Sequence, residues 1–335
     1  MCTGRQESRS MEKVTVVIPN YNGKKYIAGC LNSLALQREE FESFGVVVVD
    51  NGSTDGSLEQ IRMEYPWVRL ITLTSNTGFC HAVNQGIRTS QAPYVILLNN
   101  DTEVKSGFIK SLHARIESDR NIFSVSGKML MWDRDDRIDD AGDRYCVLGW
   151  AYSRGKGKPA ADFEKPTEVF AACAGAAIYR KSILEEIGYF DEMHFAYMED
   201  IDIGYRARIY GYRNYYEPSA CIRHAGSASS GSRYNPFKTK HSSANNVYMI
   251  WKNMPIFQLL WNLPFLIPGF LMKYIYFIRK KMGMLYLCGL WAGIKKCSSA
   301  EGKDNKIRYN HKHFKNYIQI QLQLYADTLR LFSKN

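Results

Sequence analysis

Two asparagines and an aspartate, Asn99, Asn100 and Asp101, directly follow the apolar segment YVILL at residues 94–98. An Asn/Asp cluster behind a strand-forming segment is typical of a turn. A carboxylate at the end of a buried strand is also how proteins hold Mg²⁺ or Mn²⁺ against the oxygens of a diphosphate. These residues alone leave both interpretations open.

A second group of acidic residues lies in the segment MEDID at residues 198–202. The helix dipole favours acidic side chains at the start of a helix, which would explain them without any chemistry. Carboxyl groups this close also raise one another's pKa, so that one of them can serve as a general base. On a helix, Glu199 and Asp202 share a face, whereas Asp200 points elsewhere.

A histidine, His224, lies in the segment IRHAGSASSG at residues 222–231, which the sequence predicts to be a Ser/Gly-rich loop. A single histidine is often structural. In a loop of small residues behind a short strand, predicted at 212–218, it can instead complete a metal site.

The elements that must position these groups alternate between strand and helix over the first hundred residues. Strands are predicted at 14–18, 44–50, 68–73 and 94–98. Helices are predicted at 24–37, 57–65 and 79–87. This order predicts a doubly wound α/β sheet, in which ligands bind outside the carboxyl ends of the strands. The polar segments PNYN, DNGSTD, SNTG and NND should therefore meet at one edge of the sheet.

The segment NTGFCHAVNQG at residues 76–86 leads into a helix N-terminus, which is a suitable site for an anion. The chain contains neither a GxxxxGKS loop nor a GxGxxG motif. P-loop ATPases and dinucleotide-dependent enzymes are therefore disfavoured. Two segments further on, 131–145 and 153–166, are predicted to be an acidic loop and a flexible surface loop or lid.

Composition indicates a globular protein with an anionic partner. The chain has 335 residues, 45% of them hydrophobic, and a formal charge of +11. Its eight cysteines form no CxxC pair and several lie in apolar segments, which predicts reduced, mostly buried thiols in the cytoplasm. Many basic residues lie beside apolar segments near the C-terminus, which favours lipid over nucleic acid as the partner.

The segment 255–278 approaches the length that spans a bilayer, but Pro264 and Pro268 interrupt it and Lys273 adds a charge. Trp, Tyr and Lys are placed as in an interfacial helix, so we expect this region to lie on the membrane surface. A true span and a packed core or oligomer interface remain alternatives.

Several of these motifs together, VVIPNYNG, VVVVDNGSTDGS, NTGF, LLNNDTEV and YFDEMHFAYMEDIDIGYRARIYGY, resemble the inverting family 2 glycosyltransferases of the GT-A fold in their order and spacing. The closest resemblance is to bacterial rhamnosyltransferase-like enzymes that build surface polysaccharides. It runs from about residue 13 to residue 250.

The resemblance implies an α/β fold: a Rossmann-like, mixed and mostly parallel sheet flanked by helices, followed by a C-terminal helical region that associates with the membrane. Residues 1–12 would be a disordered extension and 13–250 the glycosyltransferase domain. Within that domain, 13–104 would bind the nucleotide, and 105–250 would form the acceptor and catalytic half. Residues 251–335 would form the helical region.

It also implies roles for individual residues. Asn99-Asn100-Asp101 takes the place of the family's DxD motif but departs from it at the first position. Asp101 would be the main carboxylate ligand of Mg²⁺ or Mn²⁺, and His224 a further ligand. Asp200 would be the catalytic base, with Glu199 and Asp202 on the acceptor side. The remaining donor-binding residues would be Pro19, Asn20, Tyr21, Asp50, Asn76, Gly78, Asn84, Asn99 and Asn100.

The implied activity is transfer of a sugar from a nucleotide-sugar donor, dTDP-rhamnose or a UDP-sugar, to a hydroxyl of a glycan or lipid-linked glycan. The implied place is the cytoplasmic face of the plasma membrane, and a homodimer stays open. A sugar nucleotidyltransferase is an alternative, but it needs a triphosphate loop that PNYNG does not supply. Another is a catalytically decayed glycan-binding protein, against which Asp101, Asp200 and His224 together argue.

Overall fold

The computed structural model describes residues 12–226 and 235–333. The predicted extension 1–12 lies outside this part of the chain except for Glu12, as do residues 227–231 of the predicted Ser/Gly loop. The strands are β1 (Val14–Asn20), β2 (Phe44–Asn51), β3 (Arg69–Leu73), β4 (Tyr94–Leu98), β5 (Thr102–Val104), β6 (Ile122–Met131), β7 (Arg134–Asp140), β8 (Asp143–Tyr145), β9 (Ala151–Ser153), β10 (Thr167–Val169), β11 (Ala176–Arg180) and β12 (Arg213–His224). The helices are α1 (Ile27–Leu36), α2 (Ser57–Glu64), α3 (Phe79–Thr89), α4 (Phe108–Glu117), α5 (Lys181–Ile187), α6 (Glu199–Ile209), α7 (Pro236–Asn253), α8 (Ile256–Arg279), α9 (Gly283–Ser298), α10 (Ala300–Asn305) and α11 (Phe314–Phe332).

The predicted α/β architecture is confirmed. Ten of the described strands form one mixed sheet, in which β10-β12-β6-β11-β4-β1-β2-β3 lie in order, β5 pairs with β12 and β7 pairs with β6. Strands β3, β2, β1 and β4 run parallel, whereas β11 lies antiparallel between β4 and β6. Both faces of the sheet are covered by apolar clusters, which is why β1 and β4 are continuous β-branched and aliphatic segments.

The predicted loop at 131–145 is wrong over most of its length. Strand β7 pairs with β6, and Ile138 is fully buried. Strand β8 pairs with β9 in a separate two-stranded sheet. Strand β7 forms despite its charged residues because it pairs with β6 and its last three residues, Ile138, Asp139 and Asp140, are buried.

Two further loop predictions are also corrected. The segment 153–166 contains a short 3₁₀ helix, Ala160–Phe163, whose Phe163 is buried. Strand β12 continues well beyond the predicted end at residue 218, so His224 is its last residue rather than part of a loop. Pairing with β6 and β5 fixes the backbone of His224 and thereby its direction.

The C-terminal helices pack on α6 through a third apolar cluster. Members of this cluster include Tyr205, Met249, Leu266, Tyr317 and Leu324. Helix α8 contains Pro264 and Pro268, and by length and composition it could cross a membrane, although such a helix alone is weak support for a span. Its packed side joins the cluster, while large apolar side chains on its other side are exposed.

The described cysteines are all free thiols. Cys30, Cys80 and Cys146 are buried, while Cys288 is exposed. The prediction of mostly buried thiols therefore holds for only part of them.

Candidate active site

A cavity of about 1460 Å³ opens at the carboxyl ends of β1 and β4. All four polar segments predicted to meet there contribute to its wall, through Asn20, Asn51, Asn76 and Asn99 with their neighbours. The opposite wall comes from β9, the N-terminus of α6 and helices α7, α8 and α9. This cavity is the meeting place of the predicted motifs.

The segment Asn99-Asn100-Asp101 turns away from β4 directly at the cavity. The backbone N–H of Asn99 donates to the carbonyl of Gly175 at 2.9 Å. The side-chain amide of Asn100 donates to Oδ1 of Asn20 at 2.8 Å. Asp101 is 4% exposed and lines the cavity. The segment is thus both a turn and part of the cavity wall.

A chain of hydrogen bonds continues from Asn100 through Asn20 to the end of β2. The amide of Asn20 donates to Oδ1 of Asp50 at 2.8 Å and to the hydroxyl of Ser57 at 2.9 Å. Oδ2 of Asp50 accepts from the backbone N–H of Ser53. Pro19, Asn20 and Tyr21 line the cavity, but Asp50 is not among the described residues that do so. Its predicted contact with a nucleotide base stays a prediction.

His224 lies between two carboxylates. Its Nε2 is 3.3 Å from Oδ1 of Asp101, and its Nδ1 is 2.8 Å from Oδ2 of Asp139. Burial opposes a charge on the ring, but the hydrogen bonds to Asp101 and Asp139 outweigh it and raise the pKa of His224 to about 9. Lys156 pairs with the other oxygen of Asp139 at 2.5 Å.

This arrangement fits a divalent metal ion. One ring nitrogen and one carboxylate oxygen converge at the cavity, and Asp139 orients the ring from the other nitrogen, as carboxylates do behind metal-bound histidines. An oxygen-rich wall suits Mg²⁺ or Mn²⁺, and ligand phosphates and water supply further ligands at such sites.

Asp200 and Glu199 begin helix α6 at the same cavity. Oδ2 of Asp200 accepts from the backbone N–H of Ala174 at 3.3 Å. Burial raises the pKa of Asp200, although its own N–H and that of Ala174 act against the shift. Burial and then the charge of Asp200 raise the pKa of Glu199 well above its ordinary value. Oε2 of Glu199 has no hydrogen-bond partner within the described chain.

Strands β7 and β8 bring two more carboxylates to the cavity. Burial is the main cause that raises the pKa of Asp140 to about 6 and that of Asp143 well above its ordinary value. Asp140, Asp143 and Cys173 are close enough to share a cation. Neither aspartate was predicted as a site residue, because the segment 131–145 was predicted to be an acidic loop. The high number of aspartates in the segment 131–145 was the sequence signal that could have indicated Asp140 and Asp143.

The backbone before α6 has an unusual conformation. Phe195, Tyr197 and Met198 all have positive φ, at 61°, 71° and 70°. Such conformations in non-glycine residues are strained and persist only when neighbours fix them. Gly78 allows one of these contacts, because a Cβ at Gly78 would lie 2.7 Å from the ring and carbonyl oxygen of Phe195. The NTGF motif therefore touches the segment that presents Asp200.

Asp202 does not face the cavity. It is fully buried and forms ion pairs with Lys252 at 2.9 Å and Arg206 at 3.1 Å. Burial alone would raise its pKa, but these cations hold the pKa of Asp202 well below its ordinary value. Lys252 also pairs with Asp191 at 2.7 Å. Its ammonium therefore already occupies the place that a metal ion would take between Asp191, His194 and Asp202. Glu199 and Asp202 were predicted to share a helix face on the acceptor side. In the described structure, Glu199 lines the cavity, whereas Asp202 is buried away from it.

Asn76 and Asn84 have different places. Asn76 lines the cavity and accepts a hydrogen bond from the amide of Asn51. Asn51 also lines the cavity but was not predicted as a site residue. Asn84 is buried behind the wall, where its amide donates to the carbonyl of Phe190 at 2.8 Å and to Glu192 at 2.9 Å. Asn84 thus holds the segment that leads to α6.

Comparisons with known proteins agree with this arrangement. The family described as "Glycosyl transferase family 2" matches residues 15–188, more than half of the chain. An N-acetylglucosaminyl-diphospho-decaprenol L-rhamnosyltransferase of Mycobacterium tuberculosis is 29% identical over 245 residues, covering 64% of this chain and 77% of that protein. A teichoic acid poly(glycerol phosphate) polymerase of Staphylococcus epidermidis is 35% identical over 100 residues, covering 29% of this chain and only 14% of that relative.

Among solved structures, the mannosyltransferase PcManGT from Pyrobaculum calidifontis, in complex with GDP-Man and Mn²⁺, has a TM-score of 0.52 and 18% identity. The superposition covers 97% of this chain and 89% of that chain. At this identity the likeness concerns the fold. With its GT-A sheet and the matched family region, the chain belongs to glycosyl transferase family 2.

Proposed function

We propose that the protein is an inverting, metal-dependent glycosyltransferase. The observation that carries the proposal is the pair Asp101 and His224, 3.3 Å apart at the same cavity as Asp200. The donor would be a nucleoside diphosphate sugar, with dTDP-rhamnose favoured over a UDP-sugar by the rhamnosyltransferase among the relatives. The acceptor would be a hydroxyl of a glycan or lipid-linked glycan.

Asp101 and His224 would hold Mg²⁺ or Mn²⁺. A metal ion bound there neutralises the negative charge that develops on the departing nucleoside diphosphate. Asn100 and Asn20 fix the backbone from which Asp101 projects, and Asp139 fixes the ring of His224.

Asp200 would accept the proton of the attacking hydroxyl. Burial raises the pKa of its carboxyl group, which makes the carboxylate a better base than that of an ordinary aspartate. Attack from the side opposite the leaving group inverts the configuration at the anomeric carbon.

The apolar exposed side of α8, together with Lys280, Lys281 and Lys295, supports attachment to an anionic cytoplasmic membrane surface. Cell-envelope relatives support a role in surface polysaccharide synthesis. A lipid-linked acceptor would explain why the enzyme lies at the bilayer.

Calorimetric titration of the whole protein with UDP, dTDP and GDP, each with and without Mn²⁺, tests this function. We expect Mn²⁺-dependent binding of one nucleotide, abolished in Asp101→Ala and retained in the control Asp136→Ala, whose side chain is 66% exposed. Absence of binding to all three nucleotides by the folded protein would favour a decayed glycan-binding protein. Equal binding by Asp101→Ala would remove Asp101 from the metal site.

A further inference from the structure

Lys273 is the amino group that α8 contributes to the cavity wall. Its Nζ lies 5.9 Å from the centroid of the Trp150 ring. In residues 12–226 and 235–333, no carboxylate forms an ion pair with it. Burial lowers the pKa of Lys273 to about 8. A cation withdrawn from water without a counter-ion is unfavourable, so this place favours an incoming anion.

Tyr286 of α9 also lines the cavity and carries an unused hydrogen-bond donor. The residue is 2% exposed and lines the cavity, with its ring stacked on Phe277 at a centroid distance of 5.1 Å. Its hydroxyl has no partner in the described part of the chain. Buried hydroxyls are normally hydrogen-bonded, so an oxygen of a ligand would complete this one.

The exposed side of α8 adjoins this wall. Residues 272, 273, 276 and 277 line the cavity and form one stripe of the helix. The neighbouring stripe presents Leu271, Ile275 and Ile278, which are 55%, 44% and 51% exposed. A molecule with an anionic group in the cavity and a hydrocarbon chain outside it would match both stripes.

We propose that Lys273 and Tyr286 form a subsite for the phosphate group of a lipid-linked acceptor, whose hydrocarbon chain lies along the exposed stripe of α8. This inference rests on the proposed function, and it specifies the acceptor as a lipid phosphate or diphosphate. The sugar attached to that phosphate would extend through the cavity towards Asp200. The amide of Asn246 donates to the carbonyl of Gly149 at 2.9 Å. This hydrogen bond holds the turn that carries Trp150, the ring beside Lys273.

A neutral glycan and the diphosphate of the donor match the site at Lys273 and Tyr286 less well. A neutral glycan carries no charge that the ammonium group of Lys273 would pair with. The diphosphate of the donor is accounted for by Asp101 and His224 at the strand ends, a different wall of the cavity.

Titration of the whole protein with farnesyl diphosphate, farnesol and inorganic pyrophosphate tests the subsite. The titrations are run with and without the nucleotide and Mn²⁺. They can then be interpreted whether or not the protein binds a nucleotide in the titration with UDP, dTDP and GDP. We expect farnesyl diphosphate to bind more tightly than either part alone. Lys273→Met should weaken that binding at least about 10-fold, as loss of a hydrogen bond to a charged group does. Lys273→Arg should keep most of it.

Lys110→Met is the control, because Lys110 is exposed on α4 and does not line the cavity, so binding of farnesyl diphosphate should be unchanged. Tyr286→Phe removes only the hydroxyl, and we expect it to weaken farnesyl diphosphate binding by about 3-fold or more. Unchanged binding in both Lys273→Met and Tyr286→Phe would overturn the proposal. Pyrophosphate binding as tight as that of farnesyl diphosphate would also overturn it and indicate a free-phosphate site. Nucleotide binding is measured in the same variants. Absence of nucleotide binding would contradict the proposed function, and this result is separate from the result for farnesyl diphosphate.

Discussion

Asp200 can act as a base because of where its side chain lies. It begins α6, accepts a backbone N–H from Ala174, and shares the cavity with Asp140 and Asp143. Asp202, two residues further on, is fixed by Lys252 and Arg206 and cannot serve in its place.

The amide variant Asp200→Asn should lower turnover about 100-fold or more, because an amide cannot take the proton of the acceptor hydroxyl. Nucleotide affinity should stay within about 2-fold, since the metal ligands Asp101 and His224 are intact. Steady-state kinetics and calorimetry measure the two quantities. Turnover like that of the wild type would exclude Asp200 as the base.

The pH dependence of turnover gives a second test of Asp200. Burial raises its pKa above the ordinary 3.8, and catalysis needs its ionised form. Activity should therefore fall as the pH falls, with a midpoint above that of an ordinary aspartate. A kcat/KM profile between pH 4 and pH 8 (roughly the range in which a raised carboxyl pKa falls) measures this. A plateau extending down to about pH 4 would contradict the shift.

At the scale of elements, the strained segment before α6 is held by helices that follow much later in the chain. The amide of Asn245 on α7 donates to the carbonyls of His194, Ala196 and Tyr197, at 2.7, 2.9 and 2.8 Å. Lys296 on α9 donates to the carbonyl oxygen Oδ1 of Asn245 at 2.6 Å. The C-terminal helices therefore fix the backbone that leads into Asp200.

Removing this support should affect turnover more than donor binding. Asn245→Ala leaves three carbonyls without their donor, which should cost about 1–3 kcal/mol in the free energy of unfolding. Lys296→Met should lower kcat by up to about 100-fold, the order that a misplacement of about 1 Å costs, with nucleotide affinity retained. The exposed neighbour Lys295 provides the control Lys295→Met. Equal loss in both lysine variants would argue against a positioning role.

Element prediction from sequence succeeded where periodicity and burial agree. The strands from 14 to 98 are continuous apolar segments because both faces of the sheet are covered. Strand β7 was missed because most of its residues are charged and only Ile138, Asp139 and Asp140 are buried. Its partner β6 decides its conformation, and local propensity does not.

At the scale of the whole molecule, the exposed apolar side of α8 is the surface that we propose binds the membrane. Ile267 and Leu271 are 64% and 55% exposed and lie four residues apart on one face.

The double variant Ile267→Glu, Leu271→Glu should lose binding to vesicles that contain phosphatidylglycerol at least about 10-fold, since each side chain contributes roughly 1.5–3 kcal/mol when fully buried. Co-sedimentation measures the binding, and calorimetry with the nucleotide should be unchanged. Met63→Glu alters a residue that is 77% exposed on α2 and serves as the control. Vesicle binding that persists in the double variant would place the membrane contact elsewhere.

The sequence by itself determined the α/β sheet and the meeting of Asn20, Asn76 and Asn99 at its carboxyl edge, because strand order and local periodicity decide both. The family resemblance indicated that Asp200 and His224 belong with Asp101. Only the tertiary structure decided that Asp139, Asp140 and Asp143 join this cavity and that Asp202 turns into a buried ion-pair network. The first outcome depends on the pairing of β7 with β6 and of β8 with β9, and the second on Lys252, a cation from α7 far along the chain. Local sequence does not encode which buried charge such a cation will meet.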